Sequence, residues 1–266
     1  MAGLTSITGI GRSVELDLRS NRMASAGAIL AAVAYATLAA ATDRALVDAL
    51  IAGIVVFLGW AIGRELDPDR PQVAAWAMPL AFVASMFDLS SALATGVALI
   101  GIRLVAGTVG AAVTWFDVLA LALAGFVSGS SSVLWIVALT MVIWVFTSPE
   151  VGRLKWFALA SLVGGIVAGV ALSGSSDVAI TQNAYILAAI GGAVMMLAMT
   201  PSRVVARTDA GTEVVDTSRV GLARKTAGGY LMWAAVMGGV AGFWMISPVL
   251  AALVATAFVR WFSAGA

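Results

Sequence analysis

Ten apolar runs, each close to the length a helix needs to cross a bilayer, constrain this chain more than any other feature. They lie at 24–41, 45–63, 73–89, 91–108, 111–128, 131–147, 156–174, 184–200, 229–246 and 248–264. A spanning helix takes about 20 mostly apolar residues, because the hydrocarbon is ~30 Å thick and each residue rises ~1.5 Å. Hydrophobic residues make up 61% of the 266 and charged residues 11%, against roughly 25% charged in an ordinary soluble domain. So few charges cannot cover a soluble globule of this size. The expected fold is therefore an all-α polytopic membrane protein with ten transmembrane helices, forming one membrane domain over 1–266.

Cysteine and histidine are both absent. That excludes disulfides, thiolate nucleophiles, histidine-held zinc or haem, and every Ser-His-Asp triad. A net charge of +1 gives no reason to expect a nucleic-acid partner. The partner the composition does imply is the lipid bilayer.

Orientation is read from Lys and Arg, which accumulate on the cytoplasmic side. With ten spans and the N-terminus inside, 14 of the 15 basic residues fall in or beside the stretches 1–23, 64–72, 109–110, 148–155, 201–228 and the C-terminus. Only Arg44 lies outside. Both termini are therefore expected in the cytoplasm. Tryptophan agrees, since its ring prefers the headgroup region: Trp60, Trp76, Trp115, Trp144, Trp156, Trp233 and Trp261 fall near inner ends, Trp135 and Trp244 near outer ones. Residues 4–18 place Leu4, Ile7, Ile10, Val14 and Leu18 at helical spacing, a pattern for a short helix on the inner surface, and the stretch does not read as a secretory leader. The polar stretch 201–228 reads as a solvated connecting loop.

Ten spans divide as five plus five, 24–128 and 129–266. Five is odd, so the second half would be inverted relative to the first, a common carrier plan. The fourth and ninth ranges are both glycine-rich, and Gly165–Gly169 and Gly238–Gly242 are small residues four apart, the spacing that lets membrane helices approach closely.

No Asp, Glu, Lys or Arg falls near the centre of a span. That counts against a carboxylate proton relay and leaves a carrier for neutral or amphipathic solutes, with Tyr35, Thr95, Thr140, Ser161 and Tyr185 as candidate path-lining residues. The densest polar group is Gly63-Arg64-Glu65-Leu66-Asp67-Pro68-Asp69-Arg70-Pro71, between the second and third ranges. Three readings of it are open. Asp67 could cap a helix beginning at Pro68. Gly63, Arg64, Asp67 and Arg70 could form a gate. Glu65, Asp67 and Asp69 could hold a divalent cation such as Mg2+ beside phosphates bound by the arginines. A separate expectation pairs Arg103 with Asp117 across the fourth and fifth ranges.

Gly63, Asp67 and Arg70 resemble the Gly-x-x-x-Asp-x-x-Arg skeleton of the cytoplasmic gate in major-facilitator transporters, which have twelve spans. In span number, inside termini and length the chain is more similar to the drug/metabolite transporters. The intramembrane aromatic prenyltransferases carry two Asp-x-x-x-Asp motifs in separate loops; here the first loop lacks that spacing and 148–155 offers only Glu150. The expected function is a carrier for a small neutral or amphipathic molecule or lipid, with no cofactor. The alternatives are a cytosol-facing transferase acting on a lipid-linked phosphate, with Mg2+, and a non-catalytic subunit of a larger membrane assembly.

Overall fold

The computed structural model describes residues 15–42, 45–88, 90–109, 114–130, 154–173, 182–199, 204–209, 211 and 213–264. Among them are nine helices and no strand beyond one isolated bridge, Arg207 to Val214. The helices are α1 (Arg19–Ala41), α2 (Val47–Leu66), α3 (Pro71–Phe87), α4 (Ala92–Ala106), α5 (Trp115–Gly129), α6 (Leu154–Ser173), α7 (Gln182–Ala198), α8 (Thr217–Met245) and α9 (Ser247–Ala264). Nine of the ten apolar ranges thus carry a helix, and 131–147 lies outside the described residues. By length and composition α1 and α2 can each cross a membrane, and α8 with α9, bent by 83° at their join, is a third candidate. Of the remaining apolar helices, α3, α4, α5 and α7 are 15–17 residues long and α6 is 20 residues long.

Helix ends follow from local chemistry. Ser91 caps α4 by accepting the Ala94 amide at 3.1 Å, which satisfies one of the donors a helix start leaves open. Gly107 ends α4 at φ 65°, in the left-handed region that only glycine enters without a Cβ clash. The fourth and fifth ranges are therefore separate helices. Pro79 lies inside α3, where it removes one backbone donor. Gly239, at φ 60° and ψ −142°, breaks the helical path within α8.

The centre of the bundle is α2, which packs on α1, α3, α4 and α9 and buries Val55, Val56, Ile62 and Leu66. Beside it, α4 packs on α8, and α7 packs on α8 and α9. On α1 the inward residues are mostly small (Ala24, Ala31, Ala39), while Ile29, Leu30 and Val33 face outward, the inverse of a soluble helix. The α5–α6 pair is closer still. A Cβ on Gly165 would strike the Ala122 carbonyl and the Phe126 amide, and one on Gly169 the Phe126 carbonyl, so the four-residue glycine spacing is a crossing of two backbones.

Candidate functional site

The segment from Gly63 to Pro71 leaves α2, turns, and enters α3. Helix α3 begins at Pro71, with Arg70 at its N-cap position and no side-chain cap bond. Asp67 instead sits at the C-cap of α2. The expectation that Asp67 caps a helix starting at Pro68 is thus overturned, because the turn spends its carboxylate on tertiary partners. Its Oδ2 accepts Arg260 Nε of α9 at 2.7 Å and Arg70 Nη1 at 3.2 Å, and lies 3.9 Å from Arg224 Nη2 of α8. Asp67 is 1% exposed, and the Arg260 and Arg224 side chains are 3% and 4% exposed.

Glu65, two residues back on α2 and fully buried, faces another way. It accepts Arg103 Nε of α4 at 2.8 Å and the Thr108 hydroxyl. The ion pair described for Arg103 is therefore to Glu65 rather than to Asp117. Asp117 serves the start of its own helix, accepting the Thr114 amide at 2.8 Å and the Thr114 hydroxyl at 3.0 Å. α4 packs on α2 and α8 and makes few contacts with α5, so the pair described for Arg103 lies toward α2.

Asp69 points toward a third partner, the chain ahead of α8, where it accepts the Val205 amide at 3.0 Å and the Ala206 amide at 2.6 Å. There the Asp209 amide donates to the Thr108 carbonyl at 3.0 Å. The three carboxylates thus bind separate donors, and among the described residues no group of three acidic side chains converges as a cation site would require. Arg64 lies over the Trp60 ring, 5.3 Å from its centroid. Gly63 admits α3 to close range: a Cβ there would lie 2.9 Å from Ala74 Cα.

The arginines carry the rest of the site. Arg224 Nε donates to the Leu66 carbonyl at 2.7 Å, and Arg219 donates to the carbonyls of Leu104 and Val105, each at 3.0 Å. Both guanidiniums cap the carboxyl ends of helices, where the last carbonyls lack partners and cations are favoured. Gly107 makes room for this, since a Cβ on it would press on the Arg219 guanidinium. Much of 201–228, expected as a solvated loop, is the first three turns of α8. Asp216 caps that helix by accepting the Ser218 amide at 2.8 Å. The bonds from Ser218 hold the Asp216 carboxyl below the usual carboxylate range.

Two atoms in this network lack hydrogen-bond partners although buried: Asp67 Oδ1 and Arg224 Nη2. Buried polar groups are nearly always paired, so the network is only partly satisfied. Two further orphans lie deeper: the hydroxyls of Thr95 on α4, 0% exposed, and Tyr230 on α8, 1% exposed. The Arg219 contacts align the two helices. Counting from them at ~1.5 Å per residue, Thr95 and Tyr230 both lie about 15 Å along their helices, at matching height. A Cβ on neighbouring Gly96 would meet nothing within 4 Å. At the opposite end from Asp67 the Ser90 and Ser247 hydroxyls are hydrogen-bonded, and the Ser91 amide donates to the Met245 carbonyl at 3.0 Å.

Of the other path-lining candidates, Tyr35 is buried and Tyr185 is on the surface, while Thr140 and the side chain of Ser161 lie outside the described residues. Sequence reasoning missed Arg224, Arg260 and Tyr230. Arg260 was detectable, since an arginine inside an apolar range marks a partnered charge. Comparison of the chain with protein families, with curated proteins and with solved structures finds no match.

Proposed function

We propose that the protein is a polytopic membrane carrier for a small neutral or amphipathic molecule, with the ten apolar ranges as its crossings and both termini in the cytoplasm. The observation that carries this reading is the binding of Asp67, between α2 and α3, to Arg260 of α9 and Arg224 of α8. These ion pairs join an early segment of the chain to its last two helices, as a gate between moving halves must. The unpaired Asp67 Oδ1 and Arg224 Nη2 support it, because a buried network left half-satisfied is costly and gains by re-pairing. The grouping of loops also supports the topology. Stretches assigned to the inside meet around Asp67 and Glu65, and the outside loops meet at Ser90 and Ser247. In this mechanism Thr95 and Tyr230 offer hydroxyls at mid-depth to a polar group of the solute, and the Asp67 network closes the path beneath it.

The absence of native cysteine makes the test direct. Gln72→Cys and Phe262→Cys, both at exposed positions on helices that pack together, take spin labels for distance measurement in liposomes. A gate gives two distance populations, and Asp67→Asn moves weight to the longer one. A single population, unmoved by Asp67→Asn, would refute the gate and leave the network a static lock.

A further inference from the structure

A groove of about 490 Å³ runs between α1, α2 and α3, lined among others by Met23, Leu30 and Ala34 of α1, Val56 of α2, and Met78 and Phe82 of α3. This size falls in the ~300–1,000 Å³ typical of ligand sites, and its lining side chains are apolar throughout. It lies on α1 and α2, the two helices that can each cross a membrane by length and composition. From Met23 to Ala34 the lining covers twelve residues, or about 16 Å of helix, roughly half of the hydrocarbon thickness and so the reach of one acyl chain.

What distinguishes this groove from a plain lipid-facing surface is its end. Arg19 and Arg22 precede Met23 and Ala26 by four residues, which puts each on the same helix face as a lining residue, one turn further toward the start of α1. Both are exposed, and neither takes part in the described ion pairs. Glu15 and Asp17 lie ahead of α1, so the arginines are the charges on the helix itself. An apolar channel of acyl length that ends at two exposed guanidiniums matches one ligand chemistry, a lipid with an anionic phosphate headgroup.

We propose that the α1–α3 groove is a selective site for an anionic phospholipid, one acyl chain seated along Met23 to Phe82 and the headgroup phosphate held by Arg19 and Arg22. The site is independent of the carrier reading, since it uses none of the residues of the Asp67 network. A lipid resident there would brace α1, which packs chiefly on α2 among the described helices, against α3.

The test is native mass spectrometry of the detergent-solubilised protein with phosphatidylglycerol and phosphatidylcholine of identical acyl chains in equal amounts. An arginine near an anionic lipid surface contributes enough for roughly fivefold in binding, so the wild type should retain the glycerol lipid at least about tenfold over the choline lipid. Arg19→Gln with Arg22→Gln should bring that ratio close to one. Ala26→Trp, at an exposed lining position, should fill the groove and reduce retention of both lipids. Equal retention by the wild type would overturn the proposal. So would a preference that survives loss of both arginines, or lipid retention untouched by Ala26→Trp.

Discussion

Replacing Asp67 separates a tertiary ion-pair hub from a helix cap. Of its three cationic neighbours, Arg70 has a side chain 30% exposed, and a pair that wet is worth ~0–1 kcal/mol. Arg260 and Arg224 are different, since both are almost wholly buried. Asp67→Ala removes the buried carboxylate that both guanidiniums share, and breaking a buried pair this way costs about 3–5 kcal/mol. Asp67→Asn keeps the shape and an acceptor for Arg260 Nε but loses the charge. Its cost is therefore that of a charged hydrogen bond, about 1.5–3 kcal/mol. At ~2–4 °C per kcal/mol for a chain of this size, thermal unfolding in detergent should fall by about 6–20 °C for Asp67→Ala and ~3–12 °C for Asp67→Asn. Arg260→Gln completes a double-mutant cycle with Asp67→Asn, and contact at 2.7 Å predicts a coupling energy of about 1–3 kcal/mol. A cap, by contrast, tolerates asparagine as well as aspartate. Wild-type melting of Asp67→Asn, or strict additivity in the cycle, would refute the ion-pair account.

Thr95→Val and Tyr230→Phe each remove a buried hydroxyl that has no partner, so we predict melting temperatures equal to or up to a few degrees above wild type, with loss of solute transport; a drop of several degrees in either variant would show that its hydroxyl is bonded in the folded protein. Asp216→Ala should cost about 1 kcal/mol through the start of α8, and Asp216→Asn close to nothing at neutral pH. The folded Asp216 carboxyl is held below its ordinary value, so its stabilisation is complete above the unfolded pKa and is lost as pH falls through the folded one. The stability gap between wild type and Asp216→Ala should therefore narrow below about pH 4. A gap independent of pH would exclude the carboxylate as the source of the stabilisation.

The helices themselves were legible because each answers to neighbours in sequence. An apolar run of spanning length leaves the backbone no partner but itself, so the ranges 24–41 and 45–63 reappear as α1 and α2 with shifts of a few residues. Gly107 and Pro71 mark their helix boundaries through their own backbone limits. The glycine pair Gly165–Gly169 announced a close crossing, though not that α5 would be the partner. The Gly63–Pro71 segment stood out as the densest polar group between two apolar runs, and it is the hub of the charge network.

The roles within that hub were a different matter. Asp67 at a turn beside proline looks locally like a cap, and Arg103 and Asp117 each lie about one to two turns from the Gly107–Gly110 join. Both inferences rest on nearness along the chain. In the folded protein Asp67 meets Arg260, 193 positions away, and Glu65 meets Arg103, 38 positions away. Hydrophobic periodicity tells a helix which face to bury but not which helix will cover it. The sequence by itself determined that the chain is helical, that α1 and α2 suit a bilayer, and that a charged turn links α2 to α3. Only the tertiary structure decided the pairing of those charges, because α9 and α8 had to pack beside α2 before any arginine on them could reach the turn.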